Sequence, residues 1–193
     1  MMRSDGFYDY AWSPVTGCLN DCWYCYGKKD FEQRGLSYLP EFHPERLREP
    51  YGYKPSRIFV THYTDLMGDF IPEEWVKSII GVCNDLSKQT FMFLTKNPKR
   101  YYEYDFPDNC ILGVTVESKN EIQRIDIISG IKARKWISIE PILGDFTGVD
   151  LSQFELCIIG KLFNHVSKIR PEWVRSVSHS NIYYKPNVRR YLK

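Results

Sequence analysis

No stretch of this sequence stays apolar over the ~20 residues that a helix needs to span a bilayer, so no membrane-spanning segment is expected. The first ten residues carry one basic side chain, Arg3, and no hydrophobic run. Neither a secretory signal nor a transit peptide is indicated, and a reducing, cytoplasmic setting is expected. Charge of one sign is in short supply: 26 Lys and Arg stand against 24 Asp and Glu, a net charge of +2. That balance gives no footprint for bulk nucleic-acid binding. The local basic stretch of Lys185, Arg189, Arg190 and Lys193 reads as a solvated tail. Long Gly/Pro/Ser linkers, internal repeats and low-complexity tracts are missing, so residues 1–193 read as a single domain. A P-loop, a dinucleotide glycine fingerprint and a His-Glu-x-x-His signature are also missing, which argues against a nucleoside triphosphatase or a zinc hydrolase.

Against those absences stands a regular alternation of strand and helix patterns. Short β-branched or aromatic runs at residues 57–61, 90–95, 111–116, 136–139, 156–159 and 181–184 are bounded by polar or turn residues, as buried parallel strands are. A first strand is expected to end near Val15 or Thr16. Residues 72–87 open with Pro-Glu-Glu and place Trp75, Val76, Ile79, Ile80, Cys83 and Leu86 on one helical face. Ser118 and Glu121 form a capping-box signature before a helix carrying Ile122, Ile125, Ile128 and Ile131, and a third helix is expected from Pro171. This alternation predicts an α/β fold, a partial (β/α)6 TIM-like barrel with parallel strands, because about six units are too few to close a ring of eight. Such sheets hold ligands at the carboxyl ends of their strands. Here those ends are polar: Thr61 to Asp65, Lys96 and Asn97, Glu117 and Ser118, Glu140, and Lys161 with Asn164 and His165 beyond it.

The sharpest pattern lies earlier. Cys18, Cys22 and Cys25 fall within eight residues, an arrangement expected by chance at about half a percent for this cysteine content. Three thiolates so spaced can wrap one soft metal centre, either an iron-sulfur cluster or zinc. Zinc would need a fourth ligand such as His43, His62 or another cysteine to make a closed structural site; without one it keeps a position for chemistry. A cubane cluster held by three cysteines leaves one iron able to bind a substrate or cofactor.

The spacing Cys-x3-Cys-x2-Cys, with the aromatic Tyr24 before the last cysteine, resembles the hallmark of the radical SAM superfamily. Trp12-Ser13-Pro14-Val15-Thr16-Gly17-Cys18, Phe93-Leu94-Thr95-Lys96-Asn97-Pro98, Leu112-Gly113-Val114-Thr115-Val116-Glu117 and Ile137-Ser138-Ile139-Glu140-Pro141 are similar to a radical SAM family of phages and mobile elements. The resemblance runs, with gaps, from about Tyr10 to Tyr184. It implies an enzyme with a 4Fe-4S cluster on Cys18, Cys22 and Cys25 and S-adenosylmethionine (SAM) on the unique iron. A reductant such as flavodoxin or ferredoxin would feed an electron that cleaves SAM to a 5'-deoxyadenosyl radical, which abstracts hydrogen from a substrate. A nucleobase, nucleotide or nucleic acid is the favoured substrate class. The implied cofactor contacts are Tyr24, Thr64, Asp65, Lys96, Glu117 and Arg124, with Ser138 and Glu140 near the adenine. Glu117 suits ribose hydroxyls, and Lys96 or Arg124 the methionine carboxylate. Where the superfamily has a glycine-rich stretch with glutamate, this chain has Tyr63-Thr64-Asp65-Leu66-Met67-Gly68-Asp69, so the amino-group role falls to backbone carbonyls or to Asp65. The competing reading is a non-catalytic iron-sulfur or zinc module that organises a surface for a protein or nucleic acid.

Three further features stay open on sequence alone. Trp23, Tyr24 and Tyr26 either cover a cluster from water or pack the loop. His62 is a mouth contact or an ordinary hydrogen-bonded residue, while His43, His165 and His179 read as surface residues. Cys83 reads as core. Cys157 faces either the helices or the barrel, where its thiol would be able to return a hydrogen atom to a substrate radical.

Overall fold

The computed structural model describes residues 6–162 and 169–192, so Asn164, His165 and Lys193 lie outside the described residues. The strands are β1 (Tyr10–Trp12), β2 (Val15–Thr16), β3 (Glu41–Phe42), β4 (Arg57–Val60), β5 (Thr90–Thr95), β6 (Cys110–Thr115), β7 (Arg134–Ile139), β8 (Leu156–Ile159) and β9 (Ile182–Tyr184). The helices are α1 (Tyr26–Gln33), α2 (Glu73–Asp85), α3 (Gln123–Ser129) and α4 (Pro171–Arg175). Seven strands, in the order β1-β4-β5-β6-β7-β8-β9 and all parallel, form a curled half-barrel. Among the described residues no helix is long and apolar enough to cross a membrane.

Two details differ from the sequence expectation. The first barrel strand ends at Trp12, paired with Val60, because Pro14 has no N–H to continue a ladder. Val15 and Thr16 instead pair antiparallel with Phe42 and Glu41 in a separate clip. The helical crossovers are also incomplete. β5 and β6 are joined through a 3-10 turn at Pro98–Glu103, and the link from β7 to β8 contains no helix.

Alternation along each strand sorts side chains between two cores. On the convex side Val60, Phe91, Phe93, Leu112, Val114, Ile137, Ile139 and Ile159 pack with Val76, Ile79, Ile80 and Cys83 of α2 and with Ile125 and Ile128 of α3. The capping box at Ser118 and Glu121 is formed, and it starts the turn that leads into α3. On the concave side Phe59, Met92, Ile111, Trp136 and Ile158 are covered by Phe7 and Tyr8. The Trp136 indole donates to the Phe93 carbonyl at 2.8 Å. It lies across Gly113, where any added Cβ would strike both the indole and that carbonyl. Burying each such side chain contributes about 1.5–3 kcal/mol. These rings fill the lumen, so the carboxyl edge of the sheet is left as the place for a ligand. Cys157 belongs to the convex core, which answers the question left open above: its thiol, pushed by burial up to about 12, faces away from the lumen.

Candidate functional site

The three clustered cysteines sit on the loop between β2 and α1, at the carboxyl edge of the sheet. The loop is fastened along its length. Gly17 has φ +80°, and a Cβ there would collide with the Leu39 carbonyl, so only glycine suits this position. Cys18 N donates to Tyr38 O at 3.1 Å, the Thr64 hydroxyl donates to Gly17 O, and Asn20 Nδ2 donates to Asp65 Oδ2 at 2.9 Å. Asp21, at φ +46°, pairs with Lys28 Nζ at 2.5 Å. Cys25 caps α1, its sulfur accepting from Lys28 N at 3.3 Å. The Tyr38 hydroxyl lies 3.6 Å from the same sulfur and donates to Tyr63 O at 2.9 Å.

All three cysteines are half-buried and unbridged. Burial pushes the Cys18 and Cys22 thiols up, and Lys96 pulls Cys22 partly back. Loading a metal centre therefore means releasing protons. The donor set fits an iron-sulfur cluster: three soft sulfurs on one fastened loop, one of them already accepting a backbone N–H as a bound thiolate would. Among the described residues no three His, Cys, Asp or Glu side chains converge on a point for a single metal ion. A cubane presents separate corners to separate sulfurs and asks for no such point.

Two buried carboxylates organise the ground beside this loop. Asp65 accepts from Asn20 Nδ2 (2.9 Å) and Lys96 N (2.9 Å) on one oxygen, and from Thr95 Oγ1 (2.6 Å) and Met67 N (3.2 Å) on the other. A carboxylate has about four acceptor positions, and the chain itself takes all four. Glu117, at the end of β6, accepts from Tyr24 Oη, from Lys96 Nζ at 2.6 Å and from Arg124 Nη1 at 2.8 Å. Arg124 Nη1 also donates to Thr115 O at 2.9 Å. Burial acts to raise the Glu117 carboxyl, but Lys96, Tyr24 and Arg124 outweigh it and hold the group below the usual carboxylate range. Burial, with Glu117 alongside, pushes the Tyr24 phenol well up.

A cleft of about 430 Å³ brings together Cys22, Tyr24, Lys96, Glu117 and Arg124 from the sequence-predicted set. The other predicted residues lie elsewhere. Thr64 and Asp65 hold the cysteine loop. Ser138 is buried on β7 beside Thr115. Glu140 is ion-paired with Lys185 at 2.7 Å. The cleft adds Asn20, Trp23, Asn97, Glu121 and Leu143. Asn97 and Glu121 stood in motifs already read for other reasons, whereas nothing local marked Leu143 or Tyr38. His62 holds the Tyr26 hydroxyl at 2.7 Å. His43 bonds Thr16 at 2.8 Å, and His179 accepts or donates to backbone at Phe154 and Asn181, so these two are structural. A second cleft, about 340 Å³, opens at the amino edge around Arg57, Thr90 and Arg134 and contains no cysteine.

Residues 6–183 match the family described as Protein of unknown function (DUF5131). No curated protein matches the chain. Among solved structures, a variant of spore photoproduct lyase with bound AdoMet and dinucleoside spore photoproduct superposes with a TM-score of 0.62 at 13% identity, over 83% of this chain and 58% of the lyase. The lyase complexed with dinucleoside spore photoproduct gives 0.58 at 14% identity, over 82% and 57%. The chain thus spans little more than half the length of these structures, and the likeness is one of fold.

Proposed function

The chain belongs to the family described as Protein of unknown function (DUF5131), and we propose that it is a radical SAM enzyme. The observation that carries this reading is the opening of Cys22, from a three-thiol loop, into the same cleft as Lys96, Glu117 and Arg124. The cleft volume of about 430 Å³ lies within the range of small-molecule sites. In support, a solved structure of similar fold contains bound AdoMet.

Cys18, Cys22 and Cys25 would hold a 4Fe-4S cluster, which when bound supplies the electron, delivered by a flavodoxin or ferredoxin, that cleaves SAM to methionine and a 5'-deoxyadenosyl radical. The residues of the chain bind, orient and exclude water. Lys96 and Arg124, both held at Glu117, give two cations for a methionine carboxylate. Glu117 gives acceptors for ribose hydroxyls once a carboxylate ligand draws a cation from it. Asp65 keeps the cysteine loop in register with the ends of β4 and β5. Trp23 packs edge-on against Tyr24, ring centroids 5.3 Å apart, while itself largely exposed. A nucleobase-type substrate is favoured by the dinucleoside photoproduct bound to the lyase of similar fold.

Anaerobic reconstitution with iron and sulfide should load about four irons per chain, and reduction in the presence of SAM should release 5'-deoxyadenosine. Cys22→Ala should abolish both. Tight uptake of one zinc with no iron, or an iron-loaded protein that leaves SAM intact, would overturn the proposal.

A further inference from the structure

The carboxyl edge of the sheet has a second chemical feature, at the end opposite the cysteine loop. Lys161 follows β8, and Arg189 and Arg190 lie on the short 3-10 turn Arg189–Tyr191 after β9. The sequence suggested a solvated tail here, but the segment is fastened to the sheet. Asn187 clamps both backbone groups of Lys161, accepting from its N at 3.2 Å and donating to its O at 3.0 Å. Arg189 Nε donates to Tyr184 O at 3.1 Å, and its guanidinium lies 6.0 Å from the Tyr183 ring. Arg190 Nη2 donates to the Tyr191 hydroxyl at 2.9 Å, and its guanidinium stacks 4.9 Å from that ring. Arg190, with Lys161 beside it, holds the Tyr191 phenol below its ordinary range, a sign of surplus positive potential. Among the described residues none of Lys161, Arg189 and Arg190 is ion-paired with a carboxylate. Lys185 is neutralised by Glu140 at 2.7 Å. Glu140 follows β7 and Lys161 follows β8 at the same carboxyl edge that carries the cysteine loop, so rim and loop border one opening of the half-barrel.

Resting on the reading of that opening as the reactive site, we propose that the substrate is taken as a nucleic-acid strand, its backbone phosphates held by Lys161, Arg189 and Arg190. Fixed guanidinium groups suit phosphate oxygens. Aromatic rings stacked under them suit unpaired bases.

The test measures fluorescence anisotropy of a labelled, mixed-sequence single-stranded DNA oligonucleotide with anaerobically reconstituted protein across a salt series. Arg189→Ala combined with Arg190→Ala should weaken binding at least ten-fold at fixed salt. It should also lower the slope of log K against log salt by about 1.4, at ~0.7 per lost phosphate contact. Both side chains are exposed and the Asn187 clamp on Lys161 stays in place, so the thermal melt should move little. Lys54→Ala combined with Lys88→Ala removes the same charge at the amino edge and should leave binding unchanged. A mononucleotide at matched phosphate concentration should fail to compete. Wild-type binding by the rim variant, an equal loss in the amino-edge variant, or full competition by the mononucleotide would each overturn the proposal. SAM cleavage by the wild-type enzyme is scored separately. Strand binding through the rim without 5'-deoxyadenosine would sink the radical SAM reading and keep the rim, and cleavage with a silent rim variant would do the reverse.

Discussion

Replacing Asp65 by asparagine keeps the shape of the side chain and removes one of its two acceptor oxygens. One oxygen now receives Asn20 Nδ2 and Lys96 N, the other Thr95 Oγ1 and Met67 N. Asparagine has a single carbonyl oxygen and two N–H donors, so whichever way the amide turns, one pair of donors faces an NH2 group. The least costly arrangement points that group at the Thr95 hydroxyl, which is able to accept, and orphans Met67 N, a buried donor. An orphaned buried donor costs about 1–3 kcal/mol. The three surviving bonds lose the strength of an ionised acceptor, adding about 1 kcal/mol. Asp65→Asn should therefore destabilise the metal-free protein by about 2–4 kcal/mol, read from urea unfolding with an unchanged m-value. Asn20→Ala breaks only the exposed tether to the cysteine loop and should cost under about 1.5 kcal/mol. Both variants should retain less iron after reconstitution, because both release the loop that carries the thiols. An Asp65→Asn protein within about 0.5 kcal/mol of wild type would refute the claim that this carboxylate ties the loop to β4 and β5.

Three further outcomes are expected. Glu117 has a folded pKa below its unfolded value, so its contribution to stability is complete above the unfolded value of about 4.3 and is lost as pH falls through the lower folded value. Glu117→Gln should flatten stability against pH in that acid window, measured by urea unfolding at a series of pH values, and an unchanged profile would contradict the network. Tyr38→Phe removes the hydroxyl 3.6 Å from Cys25 Sγ. Its single proton is given to Tyr63 O at 2.9 Å, so the variant should lose about 0.5–1.5 kcal/mol of stability, read from urea unfolding; a variant as stable as wild type would rule out that tether. Gly113→Ala drives a methyl group into the Trp136 indole and the Phe93 carbonyl. It should cost about 1–3 kcal/mol by overpacking, and a neutral thermal shift would show that the lumen is looser than described.

Much of this was legible along the chain because it is written in local periodicity. The α2 stripe, the capping box at Ser118 and Glu121 and the short buried strands each follow from residues within a few positions of one another. So does the cysteine triplet. The true end of β1 was harder to see, since Val15 and Thr16 have strand character but pair with residues 41 and 42 rather than with the barrel. The missing helix between β7 and β8 left no mark in periodicity either.

The site divides the same way. Sequence alone determined that three thiols stand on one loop and that Lys96, Glu117 and Glu140 end parallel strands, because spacing and strand direction are properties of the chain itself. Tertiary structure alone decided which of these side chains meet. It spent Asp65 and Thr64 on fastening the loop and set Glu117 between Lys96 and Arg124. It turned Cys157 away from the lumen, brought Tyr38 to Cys25, and folded Arg189 and Arg190 back onto the sheet edge. The physical reason is that a buried charge or donor must find its partner through space, and that partner may be a hundred residues away; Tyr24 and Glu117, separated by 93 positions, are one such pair.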